Sequence, residues 1–122
     1  MPAPTFLILG APKCGTTALH YALSRHPDVF MAPDKDPLYF ELDAEYDLGP
    51  AAYWERHFAT WRGEAAVGEA RPTKLMLPFV PDRVRRSFPD IRLVAILRDP
   101  ADRAFSHWWM RRCNGLEPLE FA

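Results

Sequence analysis

Only two cysteines, Cys14 and Cys113, occur in the 122 residues. They are too few for a disulfide framework and suit a reducing, cytoplasmic setting. No apolar run approaches the roughly eighteen residues a membrane helix needs, so an integral membrane protein is not expected. The start, Met1-Pro2-Ala3-Pro4, lacks the basic stretch of a secretory signal, and Phe6-Leu7-Ile8-Leu9 is too short for its apolar core. His20, His26, His57 and His107 share no ligand spacing and the cysteines lie far apart, so no zinc or other metal site is expected. Internal repeats and low-complexity segments are missing as well. The formal net charge is only −1, which by itself selects no partner.

What remains is a globular composition, 48% hydrophobic and 25% charged, at a length that suits one domain. Thirteen prolines are an excess and predict fixed turns rather than long uninterrupted elements. Charge is unevenly spread. Residues 28–69 hold ten acids against Lys35, Arg56 and Arg62, whereas residues 82–112 hold eight arginines against four aspartates. The interspersed aspartates make the basic stretch a solvated helix face, with no nucleic-acid partner, while leaving some arginines for a small phosphate ligand.

The apolar run Phe6–Leu9, closed by Gly10, has the pattern of a buried parallel strand. Thr16 or Thr17 is placed to cap a helix through about Arg25, with Ala18, Leu19, Ala22 and Leu23 as its apolar stripe. His26-Pro27-Asp28 stops it, and Val29-Phe30-Met31 follows as a short strand. Residues 32–49 read as an irregular acidic loop. Pro50 suits a first helical position, and Trp54, Phe58 and Trp61 then share one helix face. A strand over 65–69, a basic helix over 81–88, a strand over 91–97 and a helix from Pro100 to Asn114-Gly115 complete the order. The continuous apolar stretch Leu93–Leu97 predicts a strand covered on both faces. Phe105, Trp108 and Trp109, like the three rings of the earlier helix, are expected in the core. Strands alternating with helices give an α/β layered fold with a largely parallel sheet.

Chemistry concentrates in two places. Gly10-Ala11-Pro12-Lys13-Cys14-Gly15-Thr16-Thr17 joins the first strand to the first helix, where backbone N–H groups and the helix dipole favour an anion. Lys13 adds a full charge, and the threonine hydroxyls add donors. The spacing departs from the nucleoside-triphosphate loop, in which lysine directly follows the second glycine and precedes the Mg²⁺-holding Ser or Thr. The second place is Leu97-Arg98-Asp99-Pro100 to Ser106, with Arg98 at the carboxyl end of a strand, where open α/β sheets bind ligands. Arg98 and Ser106 there suit a second phosphate, unless Arg98 pairs with Asp99 or Asp102.

Together with His26-Pro27-Asp28, Lys35-Asp36-Pro37-Leu38-Tyr39-Phe40 and Gly68-Glu69, these motifs resemble the sulfotransferases that use 3′-phosphoadenosine-5′-phosphosulfate (PAPS). The resemblance is strongest to the heparan-sulfate sulfotransferases and their bacterial relatives. It implies a P-loop-like three-layer fold and sulfuryl transfer from PAPS to a hydroxyl or amine of a carbohydrate or small-molecule acceptor, without a metal. By that resemblance Lys13, Gly15, Thr16 and Thr17, with Cys14 among them, match the loop for the 5′-phosphosulfate. Arg98 and Ser106 match the pair for the 3′-phosphate, and Lys13 and Asp36 carry the catalysis.

Asp36 stands where such enzymes carry a glutamate base, which shortens its reach by roughly 1.5 Å. Ala70 replaces a lysine that often follows the residue matched by Glu69, leaving Arg71 or Lys74 to supply the charge. The family's later basic-glycine loop has no match here, so residues 1–122 are expected to be the N-terminal part of a single sulfotransferase domain, incomplete at its C-terminal side. The acids at 41–47 are expected to repel polyanionic glycans, which keeps a neutral acceptor in play. The competing readings are a nucleotide- or phosphate-binding module with little or no turnover and, behind it, a kinase. Oligomeric state is not encoded in any of these motifs.

Overall fold

The computed structural model describes residues 2–33 and 37–121. Lys35 and Asp36 therefore lie outside the described residues. Strands β1 (Phe6–Ile8), β2 (Val29–Met31), β3 (Ala66–Ala70) and β4 (Arg92–Val94) form one sheet in the order β2-β3-β1-β4. All pairings are parallel, with Phe6 opposite Gly68 on one side and Arg92 on the other. Between the strands come α1 (Thr16–Ser24), α2 (Asp43–Tyr46), α3 (Gly49–His57), a 3₁₀ turn at Lys74–Met76, α4 (Val80–Ser87) and, after β4, α5 (Pro100–Cys113).

Strand alternation divides the interior in two. Leu7, Phe30 and Val67 pack with Tyr53 and Phe58 from the α3 region and with Val80, Val84 and Phe88 from the α4 region. Ile8, Met31 and Ala70 point the other way, against Leu19 and Leu23 of α1. The sheet is thus the middle of three layers, and each fully buried aliphatic or aromatic side chain contributes about 1.5–3 kcal/mol.

Several expectations change. The 32–49 stretch contains α2, whose Asp43 and Glu45 lie in its first turn, where the helix dipole favours acids. α3 ends at His57, so Trp61 is not on its face. The rings still gather, Trp54 stacking on Phe58 at 4.9 Å and meeting Trp61 edge-on at 5.5 Å. β4 is an edge strand, not a covered one: Leu93 is 56% exposed and Leu97 75%. Its pairing with β1 would let it be central, but no described residue pairs with its other side. Phe105 and Trp109 are also exposed rather than core, and Phe105 and Trp108 lie against Phe121 at 5.3 and 5.6 Å.

Candidate functional site

Parallel strands bring their carboxyl ends to one rim, so the segments following β1, β2, β3 and β4 all start there. The chain leaves β1 toward β2 and leaves β3 toward β4 on the opposite edge, the arrangement at which open sheets bind ligands. The loop after β1 is held by continued ladder bonds. Ala11 N donates to Ile96 O at 2.8 Å, and Ile96 N donates to Gly10 O at the same distance. Gly10 has φ 143°, and a Cβ there would lie 2.5 Å from Pro72 O, so no larger residue fits. Gly15, at φ 94°, occupies the N-cap of α1, and no side chain caps the helix. Thr16 and Thr17 therefore sit inside the first turn instead of capping it, because glycine reaches the left-handed region that ends the loop. The first α-helical bond from the cap is Leu19 N to Gly15 O at 3.0 Å, so the turn before it presents amide donors at the positive end of the dipole.

Lys13 is half-buried with φ 63°, Thr16 is buried, and Cys14 is buried with its Sγ donating to Pro12 O at 3.6 Å. Arg98 reaches this loop from the segment after the neighbouring strand β4: its Nη1 donates to Lys13 O at 3.2 Å. Asp99 is occupied otherwise, its Oδ1 accepting from Ala101 N and Asp102 N as the cap of α5. Among the described residues Arg98 makes no ion pair with Asp99 or Asp102. Ser106 lies two turns into α5, half-buried, and is not hydrogen-bonded to Arg98 or to the loop. The fold thus unites Lys13–Thr17 with Arg98, leaves Ser106 farther along α5, and does not describe Asp36. Two cationic groups and a helix start at one rim are a fitting place for an anion with more than one phosphate.

The sulfotransferase domain family matches residues 3–120. The chain belongs to the sulfotransferase family. Its relatives include the membrane-associated sulfotransferase kil1 of Dictyostelium discoideum, 29% identical over 98% of this chain and 26% of that protein. The human bifunctional heparan sulfate N-deacetylase/N-sulfotransferase 2 is 33% identical over 92% of this chain and 13% of its own length. A sulfotransferase from Alicyclobacillus acidocaldarius, solved by crystallography, superposes with TM-score 0.86 at 35% identity, covering 98% of this chain and 54% of the other. The chain thus spans about a quarter or less of these curated relatives and about half of the solved one. Both the heparan-sulfate and the bacterial resemblance are met by these relatives.

A second polar cluster of this sulfotransferase chain escaped sequence reasoning as a unit. Lys74 Nζ lies 2.8 Å from Glu41 Oε1 and 2.8 Å from Glu69 Oε1, and its side chain has no solvent exposure. The Tyr53 hydroxyl faces Glu69 closely enough to perturb both groups, without a well-aligned hydrogen bond. Burial raises the Glu69 carboxyl from its ordinary 4.5 to about 7, opposed by Lys74 and reinforced by Glu41. Of the two cations the sequence offered to Glu69, Arg71 and Lys74, it is Lys74 that reaches it; for Glu41 the only signal was a charge flanked by apolar residues, Phe40-Glu41-Leu42. A concavity of about 700 Å³ lies elsewhere, at the amino ends of the strands beside Thr5, Ser87 and Arg92.

Proposed function

We propose that this chain carries the donor-binding part of a PAPS-dependent sulfotransferase that moves a sulfuryl group to a hydroxyl or amine of a carbohydrate or small molecule. The observation that carries this reading is the Arg98–Lys13 contact, in which a cationic residue of each proposed cradle meets on one rim of a family-matched chain. Residues 1–122 are read as part of one such domain, and two unpaired cysteines favour a reducing cytoplasm for it.

The loop at Lys13–Thr17 would hold the 5′-phosphosulfate, and Arg98 with Ser106 the 3′-phosphate. The acceptor oxygen or nitrogen attacks sulfur, the bond from sulfur to the 5′-phosphate oxygen breaks, and 3′,5′-diphosphoadenosine (PAP) leaves. Asp36 takes the acceptor proton. Charge gathering on the departing phosphate is met by Lys13 and the α1 amides, so positioning and electrostatics supply most of the rate.

The acidic stretch offers less repulsion than its composition predicts. Glu41 is buried on Lys74, Asp43 pairs with Arg83 and Glu45 pairs with Arg56. Anionic glycans therefore join neutral sugars as acceptors worth screening, in line with the heparan sulfate enzymes among the relatives. The test is product formation from labelled PAPS against a panel of heparan oligosaccharides, neutral sugars and amines. PAP binding and transfer to at least one acceptor are expected. Tight PAP binding without transfer to any would favour a binding module instead.

A further inference from the structure

The Glu41–Lys74–Glu69 cluster joins the two sides of the proposed reaction. On the donor side, the turn that carries Lys74 is bonded to the phosphate loop: Leu75 N donates to Leu9 O at 3.0 Å, and Gly10 packs directly on Pro72 O. On the other side Lys74 grips Glu41, in the segment 37–42 that follows Asp36 in sequence. That segment is itself firmly seated, with Pro37, Tyr39 and Phe40 buried and Phe40 O accepting from Arg83 Nη1 at 3.1 Å.

We propose that Lys74 is a positioning residue for sulfuryl transfer: clamped between Glu69 and Glu41, it fixes the 37–42 segment at a set distance from the donor loop. This role rests on the donor reading above. An ion cluster suits it better than apolar packing, because buried ions cost more to desolvate than apolar side chains of similar size and gain chiefly direction and register. The groups that face Lys74 define that direction. They are Glu69 from β3, Glu41 from the segment, and the Phe40 ring, whose centroid is 5.7 Å from Nζ. Tyr53 of α3, whose ring lies 5.6 Å from the His57 ring, also neighbours Glu69.

Removing Lys74 alone leaves two buried carboxylates facing each other, so the deciding variant is the triple Glu41→Gln, Lys74→Met, Glu69→Gln. It deletes the clamp with little change in volume and no stranded ion. The readouts are PAP affinity by calorimetry, PAP release from PAPS with glucosamine as acceptor probe, and amide exchange at 37–42. The triple variant should fold cooperatively and bind PAP within about threefold of wild type, with faster exchange at 37–42 and kcat lower by about 10–100-fold. Glu41→Gln alone keeps an acceptor for Lys74 and should slow turnover less than the triple variant. Unchanged exchange and kcat in the triple variant would overturn the role, as would failure to fold or equal losses of PAP affinity and rate. If the wild-type protein does not bind PAP, or does not turn glucosamine over, the donor reading or the acceptor probe has failed. The exchange comparison then decides the clamp by itself.

Discussion

Lys13 holds an unusual backbone angle, φ 63°, while its carbonyl accepts from Arg98. The carbonyl is thus committed to fixing the loop, which leaves the ammonium for the proposed anion. An interaction that strengthens only as charge builds on the leaving phosphate acts on kcat more than on binding. Lys13→Ala is therefore expected to lower kcat by about 10²–10³-fold while weakening PAP binding far less, read from initial rates and calorimetry. A parallel loss in both would assign Lys13 to ground-state binding. Arg98 is tested by discrimination. Wild type should bind PAP more tightly than AMP, and Arg98→Ala should erase about 10–100-fold of that preference, the worth of one charge-assisted contact. Because Arg98 also braces the loop, AMP affinity should drop slightly as well, and the ratio of the two affinities is the quantity to compare.

At the scale of elements, the candidate phosphate loop depends on two glycines that fail differently. A Cβ on Gly15 would meet nothing within 4 Å, so Gly15→Ala suffers only from its φ of 94° and should cost about 1 kcal/mol of stability by denaturant titration. Gly10→Ala would press a methyl onto Pro72 O as well, and should destabilise the protein more while displacing the 3₁₀ turn behind the loop. Ordering the two the other way round would mean that the loop relaxes freely. The loop itself was readable, since its glycines, Lys13 and paired threonines are local signals lying between a strand run and a helix stripe. The parallel sheet was readable for the same reason. Edge position was not: the apolar run at Leu93–Leu97 looks the same whether a strand is central or uncovered, because only its neighbours decide. Nor was the contact between Arg98 and Lys13, or the meeting of Glu41, Glu69 and Lys74, since each joins residues that the fold alone makes adjacent.

For the whole molecule, charge is paired across the sequence as well as along it, Glu45 meeting the nearby Arg56. Acids of the first half meet arginines of the second, as in Asp43 with Arg83, while the buried cluster keeps two carboxylates on one ammonium. That surplus negative charge has a thermodynamic consequence. Burial first, then Glu41, raises Glu69 from its ordinary 4.5 to about 7 against the pull of Lys74 and Tyr53. Between those values the folded protein retains a proton that the unfolded chain has released. Unfolding there frees a proton, so raising the pH favours the unfolded state. Stability should fall from pH 4.5 to about 7 by no more than about 3 kcal/mol from this group, then level off. Thermal melts across that window should show the decline in wild type. Glu69→Gln, which cannot titrate and leaves Lys74 with Glu41 as a single pair, should flatten it. A variant with the same slope as wild type would mean that Glu69 does not hold the proton.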